Sequence, residues 1–205
     1  MKLIKITTII IIYIISSSLS YNIKLLLKPI ESNYNIINLK ETKNDKFIKD
    51  LYLTDSIKTK INDICQKLNI SYNDLIIVIY HESKFNPNAI CKSTNAKGLI
   101  GFMPQTLKWL KISSLPLNII DQLDIVYLYL NKYNIPNNIY SIWLSIFYPY
   151  AINQTNNNNY IFGEELNIKR ANKIAKYNKG FDYNNDGFIQ MNEFKLYVDN
   201  YIKSL

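Results

Sequence analysis

His81-Glu-Ser-Lys-Phe-Asn-Pro-Asn-Ala89, a short loop, and then Ala96-Lys-Gly-Leu-Ile-Gly-Phe-Met-Pro-Gln-Thr106 form the stretch on which the reading of this chain turns. Glu82 follows an almost unbroken apolar run, Leu75 to Tyr80. A carboxylate in that place is either a paired structural charge or an acid partly withdrawn from water, and desolvation favours the protonated form. Ser83 is adjacent and expected to hold the carboxyl by a hydrogen bond. Gly98 and Gly101 allow the backbone to approach a ligand closely. Phe85, Phe102, Met103 and Trp109 offer flat or soft apolar surface of the kind on which sugar rings lie. Together these residues describe a carbohydrate cleft with one acid in it.

Working outward, the apolar period is helical. Ile57, Ile61, Ile64, Cys65 and Leu68 make one stripe, and Phe47, Ile48, Leu51 and Tyr52 a shorter one before it. Ser71 to Asp74 resembles a capping box that starts the helix ending near Glu82, and Pro87 closes that element. Pro104 suits the first turn of a helix to Leu110. Helices are expected over 119–133 and over 139–147; the latter is apolar nearly all round and should be buried at the centre. No alternating run demands a sheet. The fold class is all-α, with room for a small hairpin in the 86–100 loop.

The ends carry other signals. Residues 1–20 have Lys2 and Lys5, an apolar run from Ile6 to Ile15, and small residues at Ser18 and Ser20. This is the pattern of a cleaved secretory signal; the alternative is a retained anchor, although a span needs about 20 apolar residues. Either places the mature protein outside the cytoplasm. Residues 21–45 read as a linker, broken at Pro29. The 205 residues include 24 Lys and Arg against 16 Asp and Glu, a net charge of +8. Such a surface attracts polyanions. The basic residues are spread out and almost all Lys, with a single arginine, Arg170. That argues against nucleic acid, whose readers cluster their basic residues, and leaves an acidic cell-wall polymer or anionic lipid. Cys65 and Cys91 either pair, tying the helix before Glu82 to the loop after it, or stay as two buried thiols; sequence spacing does not supply the geometry a disulfide needs.

Glu82-Ser83, Pro87 and Ala89, Gly98-Leu99-Ile100, Met103-Pro104 and Thr106 resemble the lytic transglycosylase (SLT) domain of the lysozyme-like superfamily, most closely its phage and virion-associated versions. The resemblance continues through Asp121–Tyr127 and through 139–151, where Ile146-Phe147-Tyr148-Pro149 stands near the family's Ala-Tyr-Asn motif. It implies a lysozyme-like domain over 46–160 and peptidoglycan as substrate. It also implies Glu82 as the catalytic residue and Ser83, Gly98, Gly101, Phe102, Met103 and Tyr148 as substrate contacts. Two departures stand out. Gly101 occupies a position where the family often has a sugar-contacting Gln, and Pro149 replaces the Asn after the tyrosine.

Most glycosidases need two carboxylates flanking the bond. Here Asp74 reads as a cap, and Asp121 and Asp124 read as the favourable charge at a helix start. A lone acid suffices if the substrate supplies its own nucleophile. The N-acetyl group of muramic acid assists, and its C6 hydroxyl closes onto C1. Glu82 would protonate the leaving oxygen and then accept the C6 hydroxyl proton, leaving a 1,6-anhydromuramyl end. A hydrolytic muramidase using Glu82 with water, or an inactive wall-binding or virion structural protein, are the competing readings. His81 is the chain's one histidine; without an Asp, Cys or second His beside it, it makes neither a metal site nor a triad.

Residues 161–205 carry a separate pattern. Asp182, Asn184, Asp186, Gly187 and Glu193 fill the spacing of a twelve-residue EF-hand loop, with the Phe188 carbonyl at its seventh place and Ile189 as its apolar anchor. A helix–loop–helix holding one structural Ca2+ is expected, with no part in the chemistry. The plain alternative is an Asn- and Asp-rich turn.

Overall fold

A computed structural model describes residues 43–205. The signal or anchor at 1–20 and nearly all of the linker lie outside the described residues. Within them the chain is helical, with no strand among the described residues. Helix α1 is Lys43–Asp50, α2 Asp55–Leu68, α3 Tyr72–Ser83, α4 Pro104–Trp109, α5 Ile119–Leu130 and α6 Ile139–Phe147. A 3-10 turn over Pro149–Gln154 leads to α7, Ile168–Tyr177, and α8, Met191–Ser204.

The helix starts are written into the sequence. Ser71 accepts from Asp74 N at 3.2 Å and begins α3. Asn118, Asn138 and Asn167 do the same for α5, α6 and α7, each accepting from the amide three residues on at 2.8–2.9 Å. Each satisfies a donor that the helix leaves orphaned, and such caps contribute about 1 kcal/mol apiece. Pro104 opens α4, as its fixed φ and missing N–H allow.

Helices α3 and α6 pack against each other at the centre. Leu75 to Ile79 are all at most 2% exposed, and Ser141 to Ser145 are buried across the contact. Each apolar side chain withdrawn this way contributes about 1.5–3 kcal/mol. The polar groups inside are paired: Ser141 Oγ donates to Ile152 O, Ser145 Oγ to Ile142 O, and Tyr129 Oη to Ser145 O at 2.6 Å. Helix α5 closes over α2, where Lys60 meets Asp124 at 2.5 Å. That pair is exposed and worth little.

The core is continuous across the expected boundary at 160/161. Phe162 is fully buried, and Phe147 at the end of α6 stacks with Phe181 at 4.7 Å and with Phe194 of α8 at 6.0 Å. Offset and edge-on ring pairs of this kind add roughly 0.5–1.5 kcal/mol beyond the area they bury. The C-terminal helix–loop–helix is thereby part of the same compact unit as α3 and α6. Among the described residues no helix is long and apolar enough to cross a membrane.

Candidate active site

The chain reverses sharply after Glu82. Lys84 and Phe85 both take left-handed backbone angles, φ +55° and +59°, which side-chain-bearing residues rarely adopt. Burial of the Phe85 ring helps offset that strain. The turn sends residues 86–97 back over the end of α3. There Cys91 N donates to Ala96 O at 2.9 Å, and Lys97 and Phe102 exchange backbone hydrogen bonds at 3.0 and 2.7 Å. These antiparallel bridges are the small hairpin that the 86–100 loop predicts.

Between the end of α3 and this loop lies a groove of about 340 Å3, lined by Glu82, Ala89, Ile90, Cys91, Thr94, Ala96, Gly98 and Gly101. Glu82 is the one acidic residue among them. Its side chain is 24% exposed, partly withdrawn from water as the preceding apolar run predicts. A Cβ placed on Gly101 would come within 3.9 Å of Glu82 Oε2, so this oxygen faces the glycine. The other oxygen, Oε1, lies 3.3 Å from His81 Nδ1. A second cavity of about 380 Å3 shares Ala89 and Ile90 with the groove and continues toward Ser113 and Ser114.

The expected contacts divide. Glu82, Gly98 and Gly101 meet in one groove. Ser83 is buried, and its hydroxyl donates to Ile79 O at 3.3 Å, not to the Glu82 carboxyl. Phe102 is 2% exposed and Phe85 7%, so these rings belong to the core. Phe102 and Met103 line a separate cavity of about 40 Å3 that shares Gly101. Met103 and Trp109 stay open to solvent. Tyr148 does not line the groove; its hydroxyl donates to Glu165, as does that of Tyr160. Burial would raise the Glu165 carboxyl, but the Tyr148 and Tyr160 phenols outweigh it and hold it below its ordinary value.

Gly98 is required for a different reason from Gly101. At φ +78°, a Cβ there would stand 2.5 Å from Gln122 Oε1 and 2.6 Å from a Leu115 methyl. Gln122 is fully buried on α5 and organises the wall. Its Oε1 accepts from Leu99 N at 3.0 Å, and its Nε2 donates to Pro87 O at 2.8 Å and Pro116 O at 2.6 Å. The residue was legible as an anomaly: an amide on the apolar face that also carries Ile125, Val126 and Tyr129.

Neither reading of the cysteines holds. Cys65 is buried and Cys91 exposed, and both are free. Hydrogen bonds from Ser93 and Thr94 bring the Cys91 thiol down to about 7, while burial pushes Cys65 up to about 12.

The loop over 182–193 turns at Gly187, φ +84°. Asp182 accepts from the amides of Asp186 and Gly187 at 3.1 Å each, and Asn184 and Asp186 accept from the next amides round the turn. Glu193 is buried, with Oε1 accepting from Tyr183 N and Asn184 N and Oε2 from Gln190 N. Among the described residues no three acidic, histidine or cysteine side chains converge as a metal cluster. Asp182, Asn184, Asp186 and Glu193 each accept from amides of this one loop, and hard oxygen donors of this kind suit calcium. Ile189 anchors the turn, its carbonyl accepting from Phe162 N at 3.0 Å.

Comparison with known proteins returns one family: the transglycosylase SLT domain, matched over residues 60–193. Neither the curated proteins nor the solved structures searched gave a match.

Proposed function

The chain belongs to the transglycosylase SLT domain family, a membership that makes it a peptidoglycan-cleaving protein of the lytic transglycosylase type, and from this premise we propose that it breaks the β-1,4 bond between N-acetylmuramic acid and N-acetylglucosamine with Glu82 as the sole acid and base. The observation that carries the mechanism is the groove with a single carboxylate. A pair of carboxyls, one on each side of the bond, is what the usual glycosidase requires. With one, the nucleophile comes from the substrate. Glu82 gives its proton to the leaving glycosidic oxygen while the N-acetyl oxygen supports C1. It then takes the proton of the C6 hydroxyl as that oxygen bonds to C1, closing the 1,6-anhydro ring. No water enters the balance.

Gly101 leaves room for the sugar beside Oε2, and the cavity running toward Ser113 gives the glycan a continuing path. Loss of a general acid costs about 100- to 10,000-fold in rate. Glu82→Gln should therefore stop clearing of purified peptidoglycan while leaving the melting temperature near that of wild type. Equal activity in the two proteins would defeat the assignment.

We further propose a structural Ca2+ held by Asp182, Asn184, Asp186, the Phe188 carbonyl and Glu193. Bound there, it would supply positive charge that fastens the loop between α7 and α8. Export by residues 1–20, or carriage in a virion, is proposed from the sequence pattern and from where peptidoglycan lies.

A further inference from the structure

His81 sits between the acid and the C-terminal helix. Its Nδ1 is 3.3 Å from Glu82 Oε1, and its Nε2 is 2.9 Å from the hydroxyl of Tyr197, 116 residues away on α8. The ring is caged. Trp143 of α6 tilts against it at 4.4 Å, and Tyr201 of α8 meets it edge-on at 4.7 Å. Lys84 Nζ lies over the Tyr80 ring at 3.9 Å and donates to Tyr201 Oη at 3.2 Å, tying the end of α3 to α8. These contacts tie the imidazole to α6 and α8, with 22% of its side chain left exposed.

We propose that Tyr197, acting through His81, is a positioning device for the catalytic acid: it fixes the tautomer that donates to Glu82 Oε1 and so leaves Oε2, the oxygen facing Gly101 and the groove, to carry the reacting proton. With Glu82 ionised and the ring neutral, the proton bookkeeping permits one consistent arrangement. A carboxylate only accepts, so Nδ1 carries the hydrogen. Nε2 of the neutral ring then only accepts, so the Tyr197 hydroxyl donates to it. Burial, and then the Glu82 charge, push the Tyr197 phenol up from its ordinary value, which keeps it a donor. Fixing the tautomer of one ring nitrogen through a bond to the other is a general use of histidine.

The family match ends at residue 193. Tyr197 and Tyr201 lie beyond it, on the C-terminal helix α8. The helix–loop–helix is then a supplier of one side of the active site, beyond any part it has in stability. The inference rests on Glu82 being the acid.

The chain has one histidine, so a long-range 1H–15N correlation spectrum of labelled protein at pH 8 reads its tautomer without assignment. The expected form is Nδ1–H in wild type, with loss of that preference in Tyr197→Phe, whose ring still packs on Phe181 and Trp143. In turnover, Tyr197→Phe should lower kcat about tenfold, the worth of one hydrogen bond to a charged network, with KM unchanged. His81→Asn, whose amide stands near the place of Nδ1, should keep more activity than His81→Ala and be insensitive to Tyr197→Phe. An Nε2–H tautomer in wild type overturns the proposal, as does a Tyr197→Phe variant with unaltered tautomer and kcat. A fully active Glu82→Gln would instead overturn the assignment of the acid, so the two failures are distinct.

Discussion

Replacing Gln122 by leucine keeps the bulk of the side chain and deletes three hydrogen bonds at the wall of the groove. The buried amide of Leu99 loses its acceptor and has no water to replace it, which costs about 2 kcal/mol. The carbonyls of Pro87 and Pro116 are half-buried, so water recovers part of their loss, and the two together cost roughly 1 kcal/mol. The total is about 3 kcal/mol. For a domain of this size each kcal/mol moves the melting point by about 2–4 °C, so calorimetry should show a fall of roughly 6–12 °C. Activity should fall too. Leu99 follows Gly98, which borders the groove holding Glu82, and a shift of about 1 Å in such a wall is enough for a loss on the order of 100-fold. Because a Cβ on Gly98 would collide with Gln122 Oε1, Gly98→Ala and Gln122→Leu should cost less together than the sum of the two. A Gln122→Leu protein melting within about 2 °C of wild type and clearing peptidoglycan at the wild-type rate would refute the account of the wall.

Calcium at millimolar concentration should raise the melting temperature and a chelator lower it, with Asp182→Ala abolishing the difference; an identical melt in all conditions would remove the metal from the account. Iodoacetamide at neutral pH should modify Cys91 and spare Cys65, adding one label by mass spectrometry and blocking activity, since the first thiol is exposed in the groove and the second is buried. Labelling of both, or full activity after labelling of Cys91, would contradict that placement. Burial raises the Asp74 carboxyl above its ordinary value. A raised acid contributes stability below its unfolded pKa and loses it as pH climbs through the folded one, so Asp74→Asn should melt higher than wild type at pH 7, with the gain gone near pH 3. A gain independent of pH would mean that charge is not its cause.

The helices were legible because their information is local. The stripe Ile57–Leu68, the Ser71 cap, the proline at 104 and the apolar 139–147 segment each fix an element through a few neighbours in sequence. Glu82 and the glycine-bearing loop were legible as a motif. The direction of a side chain at a helix end was not: Ser83 is next to Glu82 in sequence, but the helical turn sends its hydroxyl back to Ile79. Phe102 has the chemistry of a sugar platform, yet the hairpin that brings Gly101 to the acid turns the ring into the core. Gln122 and Tyr197 act only where distant segments meet. Their partners, Leu99 and His81, lie 23 and 116 residues away; Gln122 stood out as an amide on an apolar face, but what it meets did not, and Tyr197 carried no signal at all. Asn118, Asn138 and Asn167 cap three helices, a local signal hidden among the many asparagines of the chain.

The most direct measurement is the mass of the soluble products from defined peptidoglycan. The wild-type protein should release fragments ending in 1,6-anhydro-N-acetylmuramic acid, each lighter by one water than a reducing end, and Glu82→Gln should release none. Reducing ends in the wild-type digest, or the same products at the same rate from Glu82→Gln, would contradict a lone Glu82 acting as both acid and base.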